Sequence, residues 1–317
     1  MAYHLKRSES VAEGIRRIAR EEIESAADQL SKGHRDRDEA IHEARKSIKK
    51  VRAVLRLVHP ELGDTYYQET SYLRDVGRKL SLYRDAAAVI EILDSLKQKY
   101  RNRLKASTIE SIRRGLLARK QQSEKEADIQ KALTEIATSL RVAARRVKAW
   151  PLQTDGFPAI ESGFEKMFRQ GQKALIRAQK CPHPENYHEW RKRVKDHWYH
   201  ARLLEDLWND IVQAYEKSLD DIQAWLGDDH NLVLLRAKIV AEADTYGNDQ
   251  ELSPLLTLVD KYQKDLRAAA VSLGRRIYEA KPRHVVRRMR QLWDEWQVQP
   301  QSLEELRNGA AIPGKSR

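Results

Sequence analysis

One stretch of this 317-residue chain is written twice, and the repeat constrains the fold more than any other feature. His42-Glu43-Ala44-Arg45-Lys46-Ser47-Ile48-Lys49 returns 146 positions later as His188-Glu189-Trp190-Arg191-Lys192-Arg193-Val194-Lys195. The same spacing relates Arg56 to Arg202, Leu57 to Leu203, Leu73 to Leu219, Asp75 to Asp221 and Leu80 to Leu226. Upstream, Gly14, Arg17 and Arg20 match Gly163, Lys166 and Arg169 after a small loop shift. Two related halves are expected, residues 1–150 and 151–299, packed about a pseudo-two-fold axis.

Each half reads as helical. The chain has 13 Gly and 9 Pro, separated by long runs free of both, which disfavours an all-β fold and points to an all-α one. Apolar periodicity and breakers predict helices over 10–30, 37–58, 65–80 and 85–100, then a charge-laced helical stretch over 105–149. After a break at 150–156 the pattern restarts over 157–179, 184–208, 211–226, 231–246 and 254–297. Residues 300–317 lack periodicity and read as a flexible tail. No run approaches the roughly 18 to 20 apolar residues that would span a bilayer. The first ten residues lack a hydrophobic signal segment, and the single cysteine, Cys181, permits neither an intramolecular disulfide nor a cysteine-built zinc site. A cytoplasmic protein with no membrane contact, a monomer or weak homodimer, is expected.

The charge sits where the repeat does. Lys plus Arg total 59 against 47 Asp plus Glu, a net of +12, which implies an anionic partner. At about 100° per residue, His42, Arg45, Lys46, Lys49, Arg52 and Arg56 share one third of the helix circumference, and Ala44, Ile48, Val51, Leu55 and Val58 take the other side. The second copy repeats the scheme: His188, Arg191, Lys192, Lys195, Tyr199 and Arg202 on one face, Trp190, Val194, Ala201 and Leu204 on the other. Like charges three and four residues apart repel by roughly 0.2–0.5 kcal/mol per pair. No acidic residue interrupts Arg45 to Arg56. A duplicated run this unbalanced calls for an external anion; a solvated face or a protein-partner surface is the competing reading.

Arg and Lys together suit phosphate, Arg as a bidentate fork and Lys as a mobile point charge. Two such helices facing each other would form a basic channel for a linear anion. Aromatic residues interleaved with the cations would favour nucleic-acid bases, but Phe totals 3 and the first ladder contains no aromatic. Backbone charge therefore outweighs base identity, with low-specificity nucleic-acid binding as the second reading. His42 and His188 are either ligands or structural residues at the interface. His197 and His200 project to the apolar side and are expected in the core, and Trp190, Trp198 and Trp208 are expected in core or rim packing rather than as base-stacking platforms. His183, His188, His197 and His200 do not have the spacing of a metal motif, and Asp228-Asp229 reads as a capping turn after Gly227. No cofactor motif, glycine-rich phosphate loop, nucleophile elbow or paired-carboxylate arrangement is present. Nothing names catalytic residues, and a non-enzymatic protein is expected; a phosphatase or kinase partner that acts on the bound anion is the third class.

The doubled His-x-x-Arg-Lys-x-x-Lys motif resembles that of the CHAD family, the conserved-histidine α-helical domain. The segment from Leu73-Arg74 to Arg84-Asp85 is similar to the family's next helix pair, and the resemblance covers about residues 8 to 297. It implies two helical bundles about a pseudo-two-fold with a basic central surface that binds inorganic polyphosphate, and association with polyphosphate granules. By that resemblance the ligand role falls to His42, Arg45, Lys46, Lys49, His188, Arg191, Lys192 and Lys195. Arg52, Arg56, Tyr199 and Arg202 join from the helical projection, Arg20 and Arg169 from the preceding helices, and Arg74 and Arg78 from the segment that follows. The second copy departs from the first where His230-Asn231 stands for Arg84-Asp85, so the halves are not expected to contribute equally there.

Overall fold

In the computed structural model, which describes residues 3–31, 37–126, 129–207 and 209–298, every regular element is a helix. In chain order these are α1 (Val11–Ser31), α2 (Arg37–Leu57), α3 (His59–Leu62), α4 (Asp64–Lys99), α5 (Ala106–Glu126), α6 (Ile129–Arg146), α7 (Pro158–Lys180), α8 (Pro184–Leu203), α9 (Asn209–Ala241), α10 (Ala243–Tyr246), α11 (Asp249–Ile277) and α12 (Pro282–Val298). Local chemistry sets several boundaries. Ser10 and Glu13 exchange hydrogen bonds with each other's backbone N–H at the start of α1, and Asn248 and Glu251 do the same for α11, so each box satisfies two otherwise orphaned donors. Proline stands at the first turn of α7, α8 and α12, where its missing N–H is not needed.

Four expectations about boundaries are corrected. The separate helices at 65–80 and 85–100 form one helix, α4, because no Gly or Pro breaks 81–84. Likewise 211–226 and most of 231–246 merge into α9, which runs through Gly227 and ends at Ala241, the remainder forming α10. Asp228-Asp229 is therefore helix interior rather than a capping turn, and buried Asp229 accepts from Arg267 Nε at 2.7 Å. Conversely, 105–149 divides into α5 and α6, and 254–297 into α11 and α12 with Pro282 opening the second. Trp208 and the tail at 300–317 lie outside the described residues, as do the side chains of Arg84 and Asp85.

Packing recurs from half to half. α2 lies on α1 and α4 as α8 lies on α7 and α9, and α6 joins α1 as α12 joins α7. The copies also meet each other, α2 against α8 and α4 against α9. The cores are shared. One apolar cluster joins α1, α2 and α6 to Tyr199 and Leu203 of α8 and to Trp293 and Trp296 of α12. A second joins α4 and α5 to α9 and α11, and a third lies among α7, α8, α9 and α11. The extended connector after Trp150 is tied to α1: Arg16 Nη2 donates to the carbonyls of Trp150 and Leu152, and the Val11 N–H donates to Asp155 at 2.7 Å.

The contact of α7 with α2 depends on glycine. A Cβ at Gly163 would lie 1.8 Å from the Leu57 carbonyl oxygen, so the two backbones approach this closely because residue 163 has no side chain. This sets the second half against the C-terminal end of α2 and brings α8 alongside it.

Candidate polyanion site

The apolar faces of the two motif helices are buried as the projection requires: Ala44, Ile48, Val51 and Leu55 on α2, and Trp190, Val194 and Ala201 on α8. His197 and His200 are wholly buried. His197 lies between the hydroxyls of Tyr278 (3.1 Å to Nδ1) and Tyr215 (3.0 Å to Nε2), and His200 Nε2 donates to the Ala53 carbonyl at 2.8 Å, pinning α8 to α2. Burial holds the two rings neutral, with pKa values pulled down to about 3 and about 4. His183 is exposed at the N-cap of α8, so these histidines do not converge on a metal. The grouping among the described residues that could hold one is His4, Glu205 and Asp206.

The opposite faces carry the cations, and α2 and α8 bring them together. Arg45, Lys46, Lys49, Arg52 and Arg56 of α2 are half-buried, as are His188, Arg191 and Lys195 of α8; Lys192 is exposed. Arg191 is held below its usual pKa by burial, with the Arg45 guanidinium acting against its charge from across the helix pair. Lys195 is lowered to about 8 by burial, by Arg191 and by Lys46. Arg52 is lowered by burial and by Arg56, with Arg74 of α4 adding to the effect. These are marks of like charges confined in a partly dry space. Arg52 Nε, Arg191 Nε and His188 Nδ1 are buried without a hydrogen-bond partner among the described residues. Buried polar groups ordinarily have one.

His188 stacks on His230 of α9, ring centroids 4.1 Å apart, and its pKa is pulled to about 4 by burial, by His230 and by Lys192 and Arg191. Arg191 packs over Gly227, where a Cβ would come within 3.3 Å of Nη2, and Asp228 offsets part of its charge.

Three residues of the projection are already engaged by neighbouring side chains. Tyr199 is 1% exposed and belongs to the core, edge-on to Tyr3 and tilted against Trp198, because the N-terminal segment covers that turn of α8; its expected place on the cationic face is corrected. Arg202 lies 5.2 Å from the centre of the Trp198 ring and 3.6 Å from Glu216. Arg56 donates to Asp196 at 2.9 Å, an ion pair that bridges α2 and α8. Arg74 and Arg78 are exposed on α4, and Arg74 bonds Asp75 and Ser71. Arg20 is exposed on α1, and Arg169 on α7 pairs with Glu165. No contact joins Arg20, Arg78 or Arg169 to the α2–α8 cations among the described residues.

Beyond Glu43 and Glu189, which stand in the motifs themselves, the acidic partners were not read from the sequence. Asp196 is buried in contact with Arg56 and within reach of Arg52, Arg193 and Lys195, and burial raises its pKa against their pull. Lys50 pairs with Glu22 of α1 at 2.6 Å, Lys46 with Glu43 at 2.8 Å, and Lys192 with Glu189. Lys195 reaches Gln223 Oε1 at 3.4 Å. Asp196 was visible as the residue after Lys195, but its partner is 140 positions away.

These features define an all-helical protein in which two copies of one basic helix pack together with their charges partly enclosed. The family model for the CHAD domain matches residues 17–240, which take in both motif helices, and the chain belongs to that family. No curated protein matches it. The match ends within α9, so α11 and α12 lie beyond it.

Proposed function

We propose that this protein binds inorganic polyphosphate, without catalysis, in a basic channel between α2 and α8, the two helices being related by a pseudo-two-fold axis. The observation that carries the reading is the opposition of Arg45 to Arg191 and of Lys46 to Lys195, beside buried N–H donors that lack partners. Such an arrangement is unfavourable alone and is relieved by a ligand that brings negative charge and acceptor oxygens together. A phosphate chain offers both at every unit. Membership of the CHAD family supports the same ligand class. The recurrent packing of α1, α2 and α4 in α7, α8 and α9 supports the symmetry.

The aromatic groups nearest the cations argue against base recognition. Tyr199 is buried, and Trp198 is packed with it, so neither offers an open stacking face. The carboxylates by the cations also suit binding better than phosphoryl transfer, since Asp196 is tied to Arg56 instead of presenting a magnesium site. A cytoplasmic role at polyphosphate granules follows from the ligand.

Titration with long-chain polyphosphate, duplex DNA and tRNA at matched salt tests the choice of ligand. Polyphosphate is expected to bind most tightly above about 150 mM salt. Tighter binding of either nucleic acid there would refute the proposal. Shortening of the chain during incubation with Mg²⁺ would refute its non-catalytic part.

A further inference from the structure

The segment ahead of α1 is held against the end of α8 at a point where three metal-binding side chains meet. Tyr3 and Leu5 are buried, the Leu5 N–H donates to the Leu203 carbonyl at 3.0 Å, and the Tyr3 hydroxyl donates to the Lys50 carbonyl at 3.2 Å. Between them, the His4 carbonyl accepts from Arg17 Nη2 at 2.8 Å. Residue 4 is thus fixed from both sides, and its imidazole is set against the short 3-10 turn Glu205–Leu207 that follows α8.

The geometry is that of ligands around a shared centre. His4 Nδ1 stands 2.6 Å from Asp206 Oδ2 and 3.7 Å from Glu205 Oε1, and the three groups offer ligand atoms within 4.8 Å of one another. Two atoms bound to one zinc ion stand roughly 3–4 Å apart, so small side-chain rotations complete the set. Short as it is, the His4–Asp206 contact lacks the direction of a hydrogen bond. Ligands of one ion point at the ion and not at each other. The Asp206 carboxylate lies over Nδ1, and its side chain, like that of Glu205, is more than a third exposed, so an ion reaches the nitrogen from solvent by displacing it. Arg202, the cation beside them, is turned to Glu216 at 3.6 Å and to the Trp198 ring.

We propose that His4, Glu205 and Asp206 bind one divalent cation of the Zn²⁺ type, which clamps the segment before α1 onto the end of α8. One imidazole nitrogen with two carboxylate oxygens suits such a borderline ion better than Mg²⁺, which prefers oxygen alone and keeps its waters. Water takes the remaining position. The same segment lays Tyr3 against Tyr199, so the ion stiffens the cover over that turn of α8. The site stands apart from the polyphosphate reading, because none of its three residues belongs to the α2–α8 cations.

Calorimetric titration of the metal-stripped full chain with Zn²⁺, and with Mg²⁺ as control, tests it. One equivalent of Zn²⁺ is expected to bind with a micromolar Kd, about a hundredfold or more tighter than Mg²⁺, and to raise the melting temperature. The affinity should fall about tenfold or more in His4→Ala and in Glu205→Gln/Asp206→Asn, and the thermal shift should vanish with it. Both variants should keep the helical circular dichroism of the unaltered chain before metal is added, and Arg191→Ala/Lys192→Ala should bind Zn²⁺ unchanged. Absence of Zn²⁺ binding, binding that survives in both ligand variants, equal affinity for Mg²⁺, or loss in the α8 variant would each overturn the proposal.

Discussion

Lys195 and His188 stand two turns apart on α8, and both are held short of full charge by their surroundings. Burial, Arg191 and Lys46 lower Lys195 to about 8, against an opposing pull from Asp220 and Asp196. A bound phosphate chain favours the ammonium form and raises that value. Below pH 8 the lysine is charged with or without ligand and adds no pH dependence. Above pH 8 binding must draw a proton, so affinity falls by up to about tenfold per pH unit. His188, neutral in the free protein down to about pH 4 and stacked on His230, acts in the same sense but in a more acid window. Phosphate raises its pKa, so binding strengthens as pH falls through the bound value and is independent of that ring above it. Affinity measured from pH 5 to 10 should therefore decline on the alkaline side. Lys195→Arg should abolish that decline, because a guanidinium keeps its proton. His188→Gln should flatten the acid rise. A flat alkaline limb in the unaltered protein would exclude contact between phosphate and Lys195.

At the scale of elements, the site depends on how closely α2, α7 and α8 approach one another. Gly163 admits the Leu57 carbonyl where any side chain would collide with it, so Gly163→Ala should destabilise by about 3 kcal/mol or more. Gly77, in the middle of α4, is the contrasting case. A Cβ there would meet only Ile48 Cγ2 at 3.8 Å, an ordinary contact, so Gly77→Ala should stabilise by roughly 0.5–1 kcal/mol through helix propensity. Denaturant midpoints of the two variants check both signs, and equal effects would contradict this view of the α2–α7 contact. The Arg56–Asp196 bridge works at the same scale. Removing the carboxylate in Asp196→Ala leaves Arg56 and Arg52 half-buried without their anion, and should lower stability by about 3–5 kcal/mol. Thermal melts with and without polyphosphate follow this, and the loss should shrink when the ligand is present.

At the scale of the whole molecule, apolar periodicity and the scarcity of Gly and Pro correctly announced an all-helical chain, and the two-faced pattern correctly sorted most of α2 and α8 into core and charge. That much was legible because a helix buries one face and the period of 3.6 identifies it. What was not legible came from contacts between distant segments. Tyr199 fell on the cationic face in projection, yet Tyr3 covers it from almost 200 positions away. The ladder looked free of counter-charge because Asp196, Glu22 and Glu216 are supplied by other helices. The long helix α9 was divided at Gly227, which only resembles a breaker, α4 was divided where no breaker stands, and the shared cores were invisible because two of the three clusters join elements from both halves. The most direct test of joint binding is a polyphosphate titration of the unaltered chain, of each half-variant (Arg45→Ala/Lys46→Ala and Arg191→Ala/Lys192→Ala), and of the fourfold variant. Each half-variant should bind more weakly and with a shallower salt dependence, and the fourfold variant should not bind at all while its helical circular dichroism is unchanged. Polyphosphate binding that survives the fourfold substitution would contradict the assignment of the ligand to α2 and α8.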